Sequence, residues 1–378
     1  LLFHFLFFML YKMLFLILTA AYAQVACPLG TQVSAGGDHA LVVLPGSNEA
    51  YAVGDNSYGQ LGAGHNQAMS TRVKIALGPD IQAVAAGSSH SVLIAEGKVY
   101  SMGDGHHGQL GTGGWEDHFL PQPMALPEHS KAVSASAGCW FSLMLMDTGE
   151  VYGVGYNNNG QLTGEDWRLA TARKLPLPGK AKGVAAGCSH SLVLMESGDV
   201  YGVGENWYGQ LGIGSKEDQR MPQKMLLNGT AKAIATGTKH SLILMDSGAV
   251  YACGDNVQGQ LGLGNNDPAL EPRLISFDAK AAAIAAGDKH SLVALEDGRC
   301  FGAGDNSDGQ LGVPGFEEHA SPVRMNLHER VLDVAAGWSY SLMVSSSGVF
   351  TAGYNLLHGT AHVEGAHPFL FEEPPLLL

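Results

Sequence analysis

A short motif recurs seven times along the chain, and this repetition limits the possible folds more than any other feature. Each copy has a small residue and Gly, two variable residues, His or an aromatic residue, and then a small and an apolar residue. A second motif of the form GDNxxGQLG follows each copy, although its seventh copy is degenerate. Two motifs in constant phase indicate seven copies of one structural unit. The first glycines of the copies are 49 to 51 residues apart, at Gly36, Gly87, Gly138, Gly187, Gly237, Gly287 and Gly337.

The fifth unit shows how each copy is organised. Its short apolar stretches are separated by Gly, Asp and Asn, which is typical of strands joined by turns. The predicted strands are Ala231–Thr236, His240–Met245, Val250–Gly254 and 273–277, with a turn at Asp246-Ser247-Gly248. Four strands in about 50 residues, repeated seven times, predict an all-β fold, a seven-bladed β-propeller.

The predicted propeller covers residues 24–378. We expect its repeats near 31–80, 81–131, 132–181, 182–231, 232–281, 282–331 and 332–378. The seventh repeat loses its pattern after Gly353. Its outermost strand is expected either from residues 369–373 or from residues 24–28, and the sequence leaves both alternatives open.

Residues 1–23 have the features of a secretory signal peptide. They are largely apolar, Lys12 is their only formal charge, and they end in the cleavage pattern Ala21-Tyr22-Ala23. Cleavage after Ala23 predicts a secreted or lumenal protein. The alternative is an uncleaved membrane anchor, because the apolar stretch is almost long enough to span a bilayer. We expect membrane contact only in that second case.

Charge and cysteine content exclude several classes of protein. A net charge of −14 argues against nucleic-acid binding, which needs clustered Lys and Arg. The five cysteines include no C-x-x-C pair, so a zinc or redox motif is not expected. Their odd number leaves at least one thiol unpaired. Asn228 lies in the single N-x-[ST] sequon with a permissive middle residue and is the candidate glycosylation site.

The histidines invite a catalytic or metal-binding interpretation, but their positions favour a structural one. His106 and His107 form the best remaining cluster, and no acidic or Cys partner stands at metal-ligand spacing, so we expect no metal. No P-loop or G-x-S-x-G motif is present. We therefore expect no catalytic activity and no cofactor. Five histidines recur at one repeat position, which predicts a structural hydrogen-bonding role for His39, His90, His190, His240 and His290.

The aromatic residues point to one face of the propeller. In a four-stranded blade, the connections between strands one and two and between strands three and four lie on the same side, which we name the loop face. All five tryptophans fall on the loop face or its rim. The turns between strands two and three lie on the opposite face and are short, acidic and free of aromatics. Trp and Tyr are enriched in interface hot spots, so we predict a protein partner. The predicted binding residues are Asp38, Tyr58, His106, His107, Trp115, Trp140, Trp167, Trp207, Tyr208, Lys239, Lys289 and Trp338.

Two further expectations concern this face. Lys239 and Lys289 stand on adjacent blades, which favours a partner with an apolar centre and some negative charge. The alternative to binding is that the aromatic side chains pack over loop backbones or plug the central channel.

The two motifs resemble those of the regulator-of-chromosome-condensation repeat family. The shared elements are AAGxxHSL and GxNxxGQLG at a spacing of about 50 residues, over residues 31–360. The resemblance implies a seven-bladed propeller. It implies no single function, because the family includes an exchange factor for the Ran GTPase, a plant ultraviolet-B photoreceptor, modules of HECT-type ubiquitin ligases and bacterial β-lactamase inhibitors.

The sequence departs from each of these relatives. Motif gaps of 49 to 52 residues leave no room for the hairpin with which the founding member wedges into its GTPase. Only Gly337-Trp338 begins like the photoreceptor repeats, and no HECT domain follows before Leu378. The sequence therefore predicts a non-catalytic, monomeric protein-binding propeller. The alternatives are a nucleotide-exchange factor for a small GTPase and a propeller fragment of a larger multidomain protein such as a ubiquitin ligase.

Overall fold

Each repeat folds into one antiparallel sheet of four strands, and seven such sheets make up the described part of the chain. The structure is a computed structural model that describes residues 31–44, 46–78, 80–127, 130–354 and 367–369. Within every blade the strands are hydrogen-bonded in chain order, and the first strands line the central axis. The predicted all-β, seven-bladed β-propeller is confirmed.

The strands are numbered in chain order. Blades 1 and 2 contain β1 (Gln32–Ala35), β2 (His39–Val43), β3 (Ala50–Gly54), β4 (Met69–Lys74), β5 (Ile81–Ala86), β6 (His90–Ala95), β7 (Lys98–Gly103) and β8 (His118–Pro123). Blades 3 and 4 contain β9 (Ala132–Ala137), β10 (Phe141–Met146), β11 (Val151–Tyr156), β12 (Arg168–Lys174), β13 (Ala181–Ala186), β14 (His190–Met195), β15 (Val200–Gly204) and β16 (Gln219–Lys224).

The remaining three blades repeat this arrangement. Blades 5 and 6 contain β17 (Ala231–Thr236), β18 (His240–Met245), β19 (Val250–Gly254), β20 (Ala269–Ile275), β21 (Ala281–Ala286), β22 (His290–Leu295), β23 (Cys300–Gly304) and β24 (His319–Arg324). Blade 7 contains β25 (Val331–Ala336), β26 (Tyr340–Ser345), β27 (Gly348–Gly353) and β28 (His367–Phe369).

The fourth strand of blade 5 differs from the sequence prediction. It covers Ala269–Ile275 rather than 273–277, because Ala269 already pairs with Gly254 beyond a register shift in the ladder. Pro272 and the polar residues around it conceal this strand in the sequence. A proline is tolerated there because an outermost strand leaves one edge unpaired.

Blade 7 is completed from the C-terminal side of the chain. β28 pairs with β27 through Phe369 and Val349, so it shares only its last residue with the expected segment 369–373. The alternative segment 24–28, the predicted signal segment 1–23 and Cys27 lie outside the described residues. No helix in the described ranges has the length and hydropathy needed to cross a membrane.

The hydrophobic core lies in layers between neighbouring blades. The second strands are central to this packing, and β18 is buried at every position. One layer joins Leu242 of blade 5 to Val293 of blade 6, and another joins Leu342 of blade 7 to Val33 of blade 1, which closes the ring. Alanines such as Ala85 and similar small residues of the first strands leave an axial cavity of about 130 Å³. The loop face surrounds one mouth of this cavity.

Candidate functional site

A repeated hydrogen bond links most neighbouring blades just below the loop face. In each case the imidazole Nε2 of the repeated histidine lies 2.8 to 3.1 Å from a serine Oγ in the next blade. All of these histidines are fully buried. The pairs are His39–Ser91, His90–Ser142, His190–Ser241, His240–Ser291 and His290–Ser341.

The serine fixes the protonation state of the histidine. The Oγ of Ser291 donates its single proton to the carbonyl of Gln260 at 2.6 Å, so it can only accept from His240. His240 therefore carries its proton on Nε2, and its Nδ1 is buried without a partner. Burial lowers the pKa of His240 to about 3. These rings are neutral structural donors at neutral pH.

The link between blades 7 and 1 uses a different chemistry. Tyr340 replaces the histidine of the motif, and Ala40 replaces the serine it would contact. The Tyr340 hydroxyl instead donates to the backbone carbonyl of His39 at 2.6 Å. Blades 7 and 1 are therefore joined by a side-chain to backbone hydrogen bond at the position where the other blades have the histidine–serine pair.

The link between blades 3 and 4 is covalent. Phe141 replaces the histidine there and cannot donate to Ser191. At this interface Cys139 forms a disulfide with Cys188, whereas Cys253 and Cys300 are buried free thiols. Sequence reasoning missed this pairing. The available signal was that both cysteines directly follow the motif glycine in adjacent repeats.

The structure brings several predicted binding residues into one aromatic patch over blades 2 and 3. The rings of His107, Trp140 and Tyr156 lie 5.4 to 5.8 Å apart in pairs. Beside them, the guanidinium of Arg168 lies 4.1 Å from the ring centre of Trp115 and 4.1 Å from that of Trp167. Tyr156 and Arg168 were not among the predicted residues.

Other predicted residues lie apart from this patch. Trp207 is 63% exposed and Trp338 is 43% exposed, each on a separate blade of the loop face. Trp338 lies over Gly37 of the neighbouring blade, where an added Cβ would come within 3.4 Å of the indole. The other outlying residues are Asp38, Lys289, Tyr58 and Tyr208. The ring centre of Tyr58 lies 6.3 Å from that of His106, and the ring centre of Tyr208 lies 4.8 Å from the Nζ of Lys239.

His106 has acidic partners that the sequence spacing did not show. Its Nδ1 lies 2.7 Å from Asp104 Oδ1 and 3.2 Å from Asp117 Oδ1. The hydrogen bond to Asp104 and the charge of Asp117 raise the pKa of His106. The sequence shows no acidic or Cys partner at metal-ligand spacing, but the loop returns, and Asp117 Oδ1 accepts a hydrogen bond from the backbone N–H of Gly105. Among the described residues, Asp104, His106 and Asp117 form a group that could hold a metal ion, because their ligand atoms lie within 4.8 Å of one another. A proton on Nδ1 can be donated to Asp104, and the doubly protonated ring forms an ion pair with both carboxylates.

Two further polar positions lie away from the loop-face surface. Asp333 lines the axial cavity, is 3% exposed and accepts a hydrogen bond from the backbone N–H of Val334. Burial raises its pKa to about 8. Asn228 is exposed, and Thr230 of the same sequon donates to Asp246 in an opposite-face turn. A glycan on Asn228 would therefore leave the loop face uncovered.

Comparisons with known protein families match almost the whole propeller. The RCC1-like domain family matches residues 19–276. Regulator of chromosome condensation (RCC1) repeats match residues 281–310 and 297–344. The ultraviolet-B receptor UVR8 of Arabidopsis thaliana is 32% identical over 133 residues, which are 34% of this chain and 30% of the receptor.

Solved structures support the same fold. Human WBSCR16 superposes with a TM-score of 0.76 at 22% identity, covering 84% of this chain and 88% of that one. Prp20p from Saccharomyces cerevisiae superposes with a TM-score of 0.75 at 22% identity, covering 86% of this chain and 82% of that one. Identities this low establish a shared fold and leave the function to be argued from the site.

Proposed function

This chain belongs to the RCC1-like domain family, and from that premise we propose that it is a non-catalytic module that binds a protein partner through its loop face. The observation that most supports this proposal is that all five tryptophans lie on that face and that each side chain is more than a third exposed. Large aromatic side chains that remain exposed on a folded protein are typical anchors of protein interfaces.

The tryptophans differ in what they can contribute. Trp140 is held by His107 and Tyr156, and Trp115 and Trp167 enclose Arg168. These rings are preorganised, which lowers the entropic cost of binding. Trp207 is the most exposed of the five, so it has the most surface left for a partner to cover.

We also propose that the protein acts in the secretory pathway or outside the cell. The disulfide between Cys139 and Cys188 supports this proposal, because such bonds persist in oxidising compartments. The cleavage pattern at Ala21-Tyr22-Ala23 and the exposed sequon at Asn228 support the same location.

Affinity capture from the native compartment tests the proposed surface. The captured partner is titrated by calorimetry against the wild type, Trp207→Ala and the opposite-face control Asp246→Lys. We expect Trp207→Ala to weaken binding by at least about 2 kcal/mol, or about 30-fold, with little change in thermal stability. Asp246→Lys should bind normally. Loss of binding in the control alone would place the interface on the opposite face.

A further inference from the structure

The net negative charge of the protein lies in the connections that form the loop face. The connections between strands one and two in all blades, and between strands three and four in blades 1 to 6, carry seventeen carboxylates and three lysines. The rest of the chain carries eighteen carboxylates and eighteen Lys or Arg residues, so the loop-face segments account for the whole net charge of −14. The carboxylates are Asp38, Asp55, Asp104, Glu116, Asp117, Glu165, Asp166, Glu205, Glu217, Asp218, Asp255, Asp267, Asp288, Asp305, Asp308, Glu317 and Glu318.

The two faces also differ in how their carboxylates are paired. On the opposite face Asp199 pairs with Lys224 at 2.8 Å, and Arg299 pairs with both Asp278 and Asp297. Among the described residues, ion pairs within 4.0 Å reach only three of the seventeen loop-face carboxylates, namely Asp104, Asp117 and Asp166. Most of the loop-face carboxylates therefore have no cation within 4.0 Å among the described residues, and Lys239 acts on Glu205 from a greater distance.

The loop face already holds cations against its aromatic rings. The guanidinium of Arg168 lies between the rings of Trp115 and Trp167, and the ammonium of Lys239 lies over the ring of Tyr208. Such contacts are attractive because the ring face carries negative potential. Trp207 stands next to Tyr208 in the chain and two residues from Glu205, and its ring is largely exposed.

We propose that the partner presents a basic segment, rich in Arg or Lys with interspersed apolar side chains, to the loop face. This inference rests on the proposed function and specifies the chemistry of the ligand. It replaces the expectation of a negatively charged partner, which considered only Lys239 and Lys289. Lys239 already contacts Tyr208. Three lysines in the connections do not offset seventeen carboxylates, even with Arg168, Arg173 and Arg220, which reach the loop face from the outermost strands. Unpaired charge of one sign favours an oppositely charged partner and speeds its encounter.

Labelled synthetic peptides of equal length test this chemistry. A basic peptide of Arg, Lys and Leu is compared with an acidic one of Glu and Leu and a neutral one of Gln and Leu, by fluorescence anisotropy on the full chain. We expect the basic peptide to bind, more weakly as salt increases, and the other two not to bind. Equal binding of the neutral or acidic peptide, or no binding of the basic one, would overturn the inference.

Two matched triple variants locate the binding surface. The loop-face variant combines Glu205→Gln, Asp255→Asn and Asp305→Asn, which share one repeat position in blades 4 to 6. The control removes the same charge from opposite turns of those blades and combines Glu196→Gln, Asp246→Asn and Glu296→Gln. At low salt we expect about tenfold weaker binding of the basic peptide in the first variant and less than about twofold in the control.

The same variants separate failure of this inference from failure of the proposed function. If the captured native partner responds to Trp207→Ala and not to the loop-face triple variant, the aromatic surface stands and the basic ligand is wrong. If it responds to neither, and both triple variants bind the basic peptide alike, the loop face is not the interface. Thermal unfolding of every variant confirms that the fold is retained.

Discussion

Removal of the Cys139–Cys188 disulfide is the perturbation for which the structure makes the most specific prediction. A bond that closes a loop of 49 residues lowers the entropy of the unfolded chain by the equivalent of about 4 kcal/mol at 25 °C. A buried hydrogen bond contributes about 1 kcal/mol net. We therefore expect the combined variant Cys139→Ala and Cys188→Ala to lose up to about 4 kcal/mol, because this interface has no histidine link to fall back on.

A rescue experiment tests whether the disulfide replaces the missing link. Ser191 already donates to the carbonyl of Gln161 at 2.8 Å, so its Oγ is ready to accept a second hydrogen bond. Phe141→His in the cysteine-free background should supply that bond and recover about 1 kcal/mol. Urea unfolding of each variant gives the free energies. If the cysteine-free protein is as stable as the wild type, or if Phe141→His lowers its stability further, the disulfide does not replace the missing histidine link.

Four further predictions concern single side chains. His240→Ala and His290→Ala should each cost about 1–3 kcal/mol in denaturant unfolding, because each removes an equivalent buried link; equal stability of variant and wild type would contradict this. Burial lowers the pKa of His240 in the folded state, so as the pH falls below about 6.5 this histidine is protonated in the unfolded state first, and the folded state loses stability. His240→Ala should therefore lose less stability on acidification than the wild type. Asp333, with its pKa raised to about 8, stays protonated in the folded state while the unfolded state ionises above about pH 4. Stability is therefore lost as the pH rises between these values, and Asp333→Asn should be more stable than the wild type at pH 8 and similar near pH 4; equal curves would refute this. Trp140→Ala should lower both the melting temperature and partner affinity, since Trp140 packs on Tyr156, whereas Trp207→Ala should lower affinity alone.

The fold could be predicted from the sequence because each blade repeats the same motif residues at the same strand ends. The histidine of the first motif starts the second strand in five blades, and the glycine that opens the second motif ends the third strand in every blade except blade 3. Gly254, for example, has a φ of +108°, and an added Cβ would lie 2.5 Å from the carbonyl oxygen of Lys239. Only glycine fits such positions, so the repeated motif glycines indicate where each third strand ends.

The site was less predictable, because its contacts depend on how the long connections return to the sheet. Nothing in the spacing of Asp117 and His106 indicates that their side chains meet, and Arg168 contacts Trp115 from the neighbouring blade. The charge of the loop face was accessible by counting residues in the connections.

The most direct test of the account is hydrogen–deuterium exchange of the full chain with and without its captured partner. Binding through the loop face predicts slower exchange in the loop-face connections of blades 4 and 5, at residues 205–218 and 255–268, and unchanged exchange in the opposite turn at Asp246-Ser247-Gly248. Protection confined to the opposite turns or to the outermost strands would contradict the claim that the loop face is the binding surface.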